Sequence, residues 1–144
     1  MTLKEDNHIK IKGIARSTLD FILEVSRSTA PMEFAGLLRA EEGVIKDVIF
    51  LPGTESSEIR AVLRLYMMPN MSMAGSVHSH PTPNTNPSGA DLALFTRIGD
   101  HHIIVGAPYN KRSWKCYDRS GKSRVLDVLD IEFDEDEDDF QCII

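Results

Sequence analysis

Three prolines and two asparagines fall within the seven residues from Pro81 to Pro87. Such a run cannot be regular structure and must be a shaped loop. What stands on either side of it narrows the fold. Gly75-Ser76-Val77 leads into His78-Ser79-His80, which reads as a strand that stops at Pro81, since proline has no amide to give to a ladder. Ser88 then stands as an N-cap, with Asp91 three positions on and Leu92, Leu94 and Phe95 behind it, predicting a helix from about Ser88 to Ile98. A strand, a tight loop and a helix whose amino end faces back toward the strand make the chain α/β.

The polar residues of this segment point to a metal. Residues i and i+2 of a strand share a face, so His78 and His80 direct two ring nitrogens to one place. Asp91, in the first helical turn, adds a carboxylate. These donors suit Zn2+ with a fourth position left to water. Structural zinc sites close with four ligands, mostly thiolates, and the two cysteines, Cys116 and Cys142, are too far apart in sequence for a Cys-x-x-Cys clamp. Zinc lowers the pKa of bound water from about 15.7 to about 7. A base must still carry the proton, and Glu33 is the candidate. Each residue has a blander reading: paired histidines occur on surface strands, Ser88 and Asp91 cap helices in many proteins, and Glu33 could be a solvated residue at a strand start. His101 and His102 lack ligand spacing and are expected at the surface or behind the ligands, while His8 carries no signal.

The combination is specific. His78-x-His80, seven residues, Ser88, two residues and Asp91, with Glu33 in the context Pro31-Met32-Glu33-Phe34-Ala35-Gly36-Leu37-Leu38, resembles the JAMM motif of the JAB1/MPN/Mov34 metalloprotease family, as a compact prokaryotic-type member. The resemblance spans most of the chain. It implies a single MPN-type domain, a mixed β-sheet flanked by helices in the three-layer manner of cytidine deaminases. It also implies that His78, His80 and Asp91 ligate zinc, that Glu33 is the general acid/base, and that Ser88 supports the oxyanion. The implied reaction is hydrolysis of the amide at the C-terminus of a ubiquitin-like modifier. Trimming of a sulfur-carrier protein's tail and a non-catalytic MPN scaffold are the alternatives, the last opposed by the intact five-residue set. Arg39-Ala40 stands where many relatives have glycine, which should disturb a strand end and not the chemistry.

At 144 residues and 42% hydrophobic content the chain can bury one core. No apolar run of membrane-spanning length and no signal-peptide pattern occurs, so a soluble, cytoplasmic protein with free thiols is expected. The net charge of −6 is uneven: eight of the 22 acidic residues lie in residues 130–144, which hold no Lys or Arg. The expected division is therefore a domain over 1–129 and an acidic, solvated tail over 130–144. The remaining bases are scattered without aromatic interleaving, which excludes a nucleic-acid surface. Oligomeric state is not encoded in any of these patterns.

The other elements follow from periodicity and turns. Strands are predicted over Ile9–Ile14, Phe34–Ala40, Val44–Leu51, Ile59–Met67, Ile103–Ala107, Trp114–Tyr117 and Val125–Ile131. A helix capped by Ser17 or Thr18 runs to about Ser28. Glu41-Glu42-Gly43 makes a hairpin turn, and Asp118 to Gly121 joins the last two strands.

Overall fold

The structure is a computed structural model that describes residues 10–51 and 73–131. The strand expected over Ile59–Met67 and the acidic tail from Glu132 onward lie outside the described residues.

Strand β1 (Gly13–Ala15) runs into helix α1 (Arg16–Thr29). Leu19, Ile22 and Leu23 form the buried stripe of α1, joined by Thr18 and Ser26. The expected cap is not made: Ala15 occupies the N-cap without a side-chain bond. Thr18 is buried, and its hydroxyl donates instead to the Lys46 carbonyl at 2.7 Å, so a tertiary contact took the hydroxyl that the local pattern assigned to capping. Strands β2 (Ala35–Glu41) and β3 (Val44–Phe50) form the expected hairpin. Glu42 and Gly43 both have positive φ, 53° and 83°, the backbone of a two-residue turn whose twist matches the strands. The pairing register of β2 slips at Arg39/Ala40 against β3 and at Leu38/Arg39 against the next strand, the local disturbance expected there.

Strand β4 (Met73–Ser79), helix α2 (Gly89–Phe95) and strand β5 (His101–Val105) form a β-α-β crossover, since β4 and β5 are parallel. Three corrections concern this unit. His80 lies one residue beyond β4; α2 ends at Phe95, not near Ile98; and β5 begins at His101, which buries both His101 and His102. Strand β6 (Trp114–Tyr117) is as expected, but the single strand expected over 125–131 is two short ones, β7 (Ser123–Arg124) and β8 (Val128–Leu129). Val125 points to solvent and Leu126 into the core, where the chain leaves β7 for the opposite edge of the sheet. The eight strands are ordered β7-β6-β5-β4-β2-β3-β1-β8, a mixed sheet with helices on it.

The main core lies between the sheet and α1 and includes Ile14, Leu38, Ile45, Val77, Ile103 and Val105. The other face carries Leu37 with Ile98, and Phe95 with Ile104 and Tyr117. Ser76 and His102 pair across β4 and β5 on that face, and by the two-residue period of β4 so does His78. No helix among the described residues is long and apolar enough to cross a membrane.

Candidate metal centre

The carboxyl end of β4 and the amino end of α2 meet across the Pro81–Pro87 loop. Ser88 is the N-cap of α2: its Oγ accepts from the Asp91 amide at 3.1 Å, and its own amide donates to Asp91 Oδ2 at 2.7 Å. This reciprocal pair satisfies two otherwise orphaned amides and turns the Asp91 carboxylate back toward the strand. There Asp91 Oδ1 lies 3.0 Å from His78 Nε2, and Oδ2 lies 3.7 Å from His80 Nε2. One ligand atom from each of the three residues lies within 4.8 Å of the others.

The donor geometry fits a cation. His78 Nε2 is buried and has no hydrogen-bond partner, although Asp91 Oδ1 is close: the two atoms converge without the alignment of a hydrogen bond. A buried polar atom left without a partner is costly, and a shared metal ion would use it. His80 Nδ1 is 2.7 Å from the Asn84 carbonyl. A carbonyl only accepts, so Nδ1 carries the proton and Nε2 presents its lone pair. Burial alone would raise the Asp91 carboxyl, but His78 and Ser88 together hold it down at about 2. Asp91 is therefore an anion at neutral pH. Two imidazoles and a carboxylate are three ligands, the number that leaves zinc a reactive position. Cys116 takes no part: it is a buried free thiol whose pKa is pushed up to about 11 by burial.

Glu33 stands outside this converging group. It is exposed, just before β2. The register pairs Ala35 with His78, and the Ser79 amide donates to the Phe34 carbonyl at 2.9 Å; Glu33 is the residue before Phe34. Phe34 belongs to the core beneath α1, while Glu33, one residue earlier and ahead of the strand, is exposed. Ser88 is exposed at the loop's end. Its oxygen is occupied as an acceptor, which leaves the hydroxyl proton free to donate.

Several residues around the centre carry no sequence signal. The Tyr109 hydroxyl donates to the His80 carbonyl at 3.1 Å, and the Tyr117 hydroxyl to the Thr85 carbonyl at 2.6 Å. Gly106 lies under the loop: a Cβ there would meet Thr82 O at 2.8 Å. His102, at the expected place behind the ligands but fully buried, pairs with Ser76 and stacks on Phe95.

A profile of the prokaryotic homologues of the JAB domain matches residues 15–117. The chain is 42% identical over 142 residues to a probable metalloprotease of Haloferax volcanii, covering 91% of this chain and 88% of that protein. Among solved structures, a JAB1/MPN domain protein from Archaeoglobus fulgidus is similar with a TM-score of 0.68 at 42% identity, over 82% of this chain and 99% of that one. A structure described as a JAMM metalloprotease-like zinc site in the proteasome and signalosome has a TM-score of 0.69 at 40% identity, over 84% of this chain and 100% of that one. With the His-His-Asp group in place, these similarities settle the assignment: the chain belongs to the prokaryotic JAB-domain family and is a zinc metalloprotease of the JAMM type.

Proposed function

We propose that this metalloprotease hydrolyses the amide bond at the C-terminus of a ubiquitin-like or sulfur-carrier protein, acting as an isopeptidase. His78, His80 and Asp91 hold the zinc, Glu33 is the acid/base and Ser88 the oxyanion donor. The observation that carries this reading is the convergence of His78, His80 and Asp91 at the end of β4, next to the strand β2 that Glu33 precedes. Zinc, when bound, supplies a Lewis acid and lowers the pKa of water toward about 7.

The chain's own groups supply the rest. Glu33 takes a proton from the attacking water as the oxygen–carbon bond forms, then returns it to the nitrogen as the carbon–nitrogen bond breaks. Ser88 donates its hydroxyl proton to the carbonyl oxygen as negative charge builds there, an interaction stronger in the transition state than in the ground state. A C-terminal tail is the fitting substrate, because an extended, flexible peptide can reach a centre at the end of a strand.

Metal analysis and cleavage assays test this together. Purified protein should carry about one zinc per chain, as a single catalytic site requires. His78→Ala should lose it, while Glu33→Gln should keep it and lower kcat by about 10²–10⁴-fold. Metal-free wild-type protein, or wild-type rates in Glu33→Gln, would overturn the assignment. Side-chain-linked conjugates and linear tail fusions of a ubiquitin-like protein serve as substrates. Cleavage of the linear fusion alone would make the enzyme a tail-trimming hydrolase.

A further inference from the structure

Resting on the reading of His78, His80 and Asp91 as metal ligands, we propose that Tyr109 and Tyr117 are positioning residues of the metal centre: two phenol hydroxyls that hold the loop between the ligands by its backbone carbonyls. The need for them begins at His80. Strand β4 ends at Ser79, and Pro81 has no amide to extend the ladder. Of the two histidine ligands, His80 is thus the one that lies beyond the strand.

Three separate contacts replace the ladder. The His80 amide donates to the Val105 carbonyl at 2.7 Å. Its carbonyl accepts from the Tyr109 hydroxyl at 3.1 Å, and its Nδ1 donates to the Asn84 carbonyl at 2.7 Å. Every polar group of His80 but Nε2 is therefore committed, and Nε2 is the atom that faces Asp91.

Each tyrosine is itself fixed. Tyr109 is buried and has φ of 64°, a left-handed conformation that side chains adopt only where the surroundings impose it. Its carbonyl accepts from Arg27 Nη2 at 2.7 Å, which ties it to the last turn of α1. Tyr117 is buried on β6, its ring beside Phe95 of α2 with centroids 6.2 Å apart. Its hydroxyl donates to Thr85 O, the residue after Asn84. Holding Thr85 therefore places the Asn84 carbonyl that orients the His80 ring. The loop also lies flat on the sheet end, since Ala107 N donates to Thr82 O at 3.0 Å and a Cβ on Gly106 would come within 3.0 Å of Thr85 Cγ2.

Both hydroxyls are given to backbone carbonyls, so both act through the main chain. That separates the proposal from a merely structural role: removing a hydroxyl should change the metal more than the fold. The test uses wild-type protein, Tyr109→Phe and Tyr117→Phe, with zinc affinity read by competition with a chelator and ligand geometry by the visible spectrum of the cobalt-substituted forms. Expected is a loss of about tenfold in zinc affinity in each variant, the scale of groups that orient ligands. The cobalt bands should shift, and zinc-free melting temperatures should stay close to wild type. Affinity within twofold of wild type together with unchanged cobalt spectra would overturn the proposal. Wild-type protein that binds no zinc would instead remove the ligand assignment, and this proposal with it. Should Tyr109→Phe fail to fold, Tyr117→Phe carries the same measurement at the other end of the loop.

Discussion

In the proposed mechanism Ser88 and Asp91 each serve the helix and the metal centre with the same atoms. Asp91 Oδ2 accepts the Ser88 amide while facing His80, and Ser88 Oγ accepts the Asp91 amide while keeping a proton to give. Ser88→Ala should therefore fail in two measurable ways. Loss of the cap should cost about 1 kcal/mol in urea unfolding, and loss of the oxyanion donor should cost about 10²-fold or more in kcat. Ser88→Thr, which caps and donates, should recover most of both. Normal turnover in Ser88→Ala would leave Ser88 only its capping role. At this scale the sequence is most readable where chemistry demands a residue type, as at His78, His80 and Asp91. It is unreadable at Asn84, Tyr109 and Tyr117, which act on or through backbone carbonyls. A carbonyl leaves no trace in residue identity, and both tyrosines lie more than twenty positions beyond what they hold.

Helix α2 has seven residues, and Phe95 is its only buried one. The Phe95 ring stacks on His102 with centroids 4.2 Å apart and planes 13° from parallel. His102 Nε2 faces the Gly99 carbonyl, so its Nδ1 is free to accept from the Ser76 hydroxyl at 2.7 Å. One aromatic contact thus seats the helix that carries Asp91. Phe95→Ala should destabilise the fold by about 3–5 kcal/mol and weaken zinc binding with it, read by urea unfolding and chelator competition; unchanged affinity would show that the loop alone places Asp91. The start of α2 was legible because a capping residue and an acidic N3 position mark it. Its end was not, because apolar residues continue through Ile98. There the chain turns at Thr96 and Gly99, the latter at φ 62°, to enter β5, and Ile98 packs against Leu37 as part of the connection.

Across the whole molecule, strand existence was easier to read than strand order. Alternation and turn residues marked β2, β3 and β6, but nothing local states that β8 pairs with β1 while β7 pairs with β6 at the other edge. Such pairing is decided by tertiary packing. Among the described residues, both edges of the sheet are two-residue strands, too short to recruit another chain readily. The buried histidines of β5 give the fold a pH dependence. Burial lowers His102 to about 4 and lowers His101 as well. A histidine lowered by folding leaves the unfolded chain to take the proton first. Its contribution is therefore whole above about pH 6.5 and is lost as pH falls toward about 4. For His102 the loss between pH 7.5 and 5 should be about 2 kcal/mol, measured by urea unfolding of the zinc-free protein. His102→Asn should flatten the profile, every other group being common to the two proteins and cancelling in the difference. An equal slope in the variant would assign the pH response elsewhere.

The loop that joins His80 to Ser88 also sets an order of assembly. His78, His80 and Asp91 lie within fourteen consecutive residues, so bringing them together closes a short loop at small entropic cost. Glu33, the proposed acid/base, stands next to β2 and would join them only when β2 pairs with β4 across some forty intervening residues, a non-local contact of the kind that is slow to form. A nascent chain could then capture its ion before it could move a proton, and would stay harmless to its neighbours until the sheet was complete.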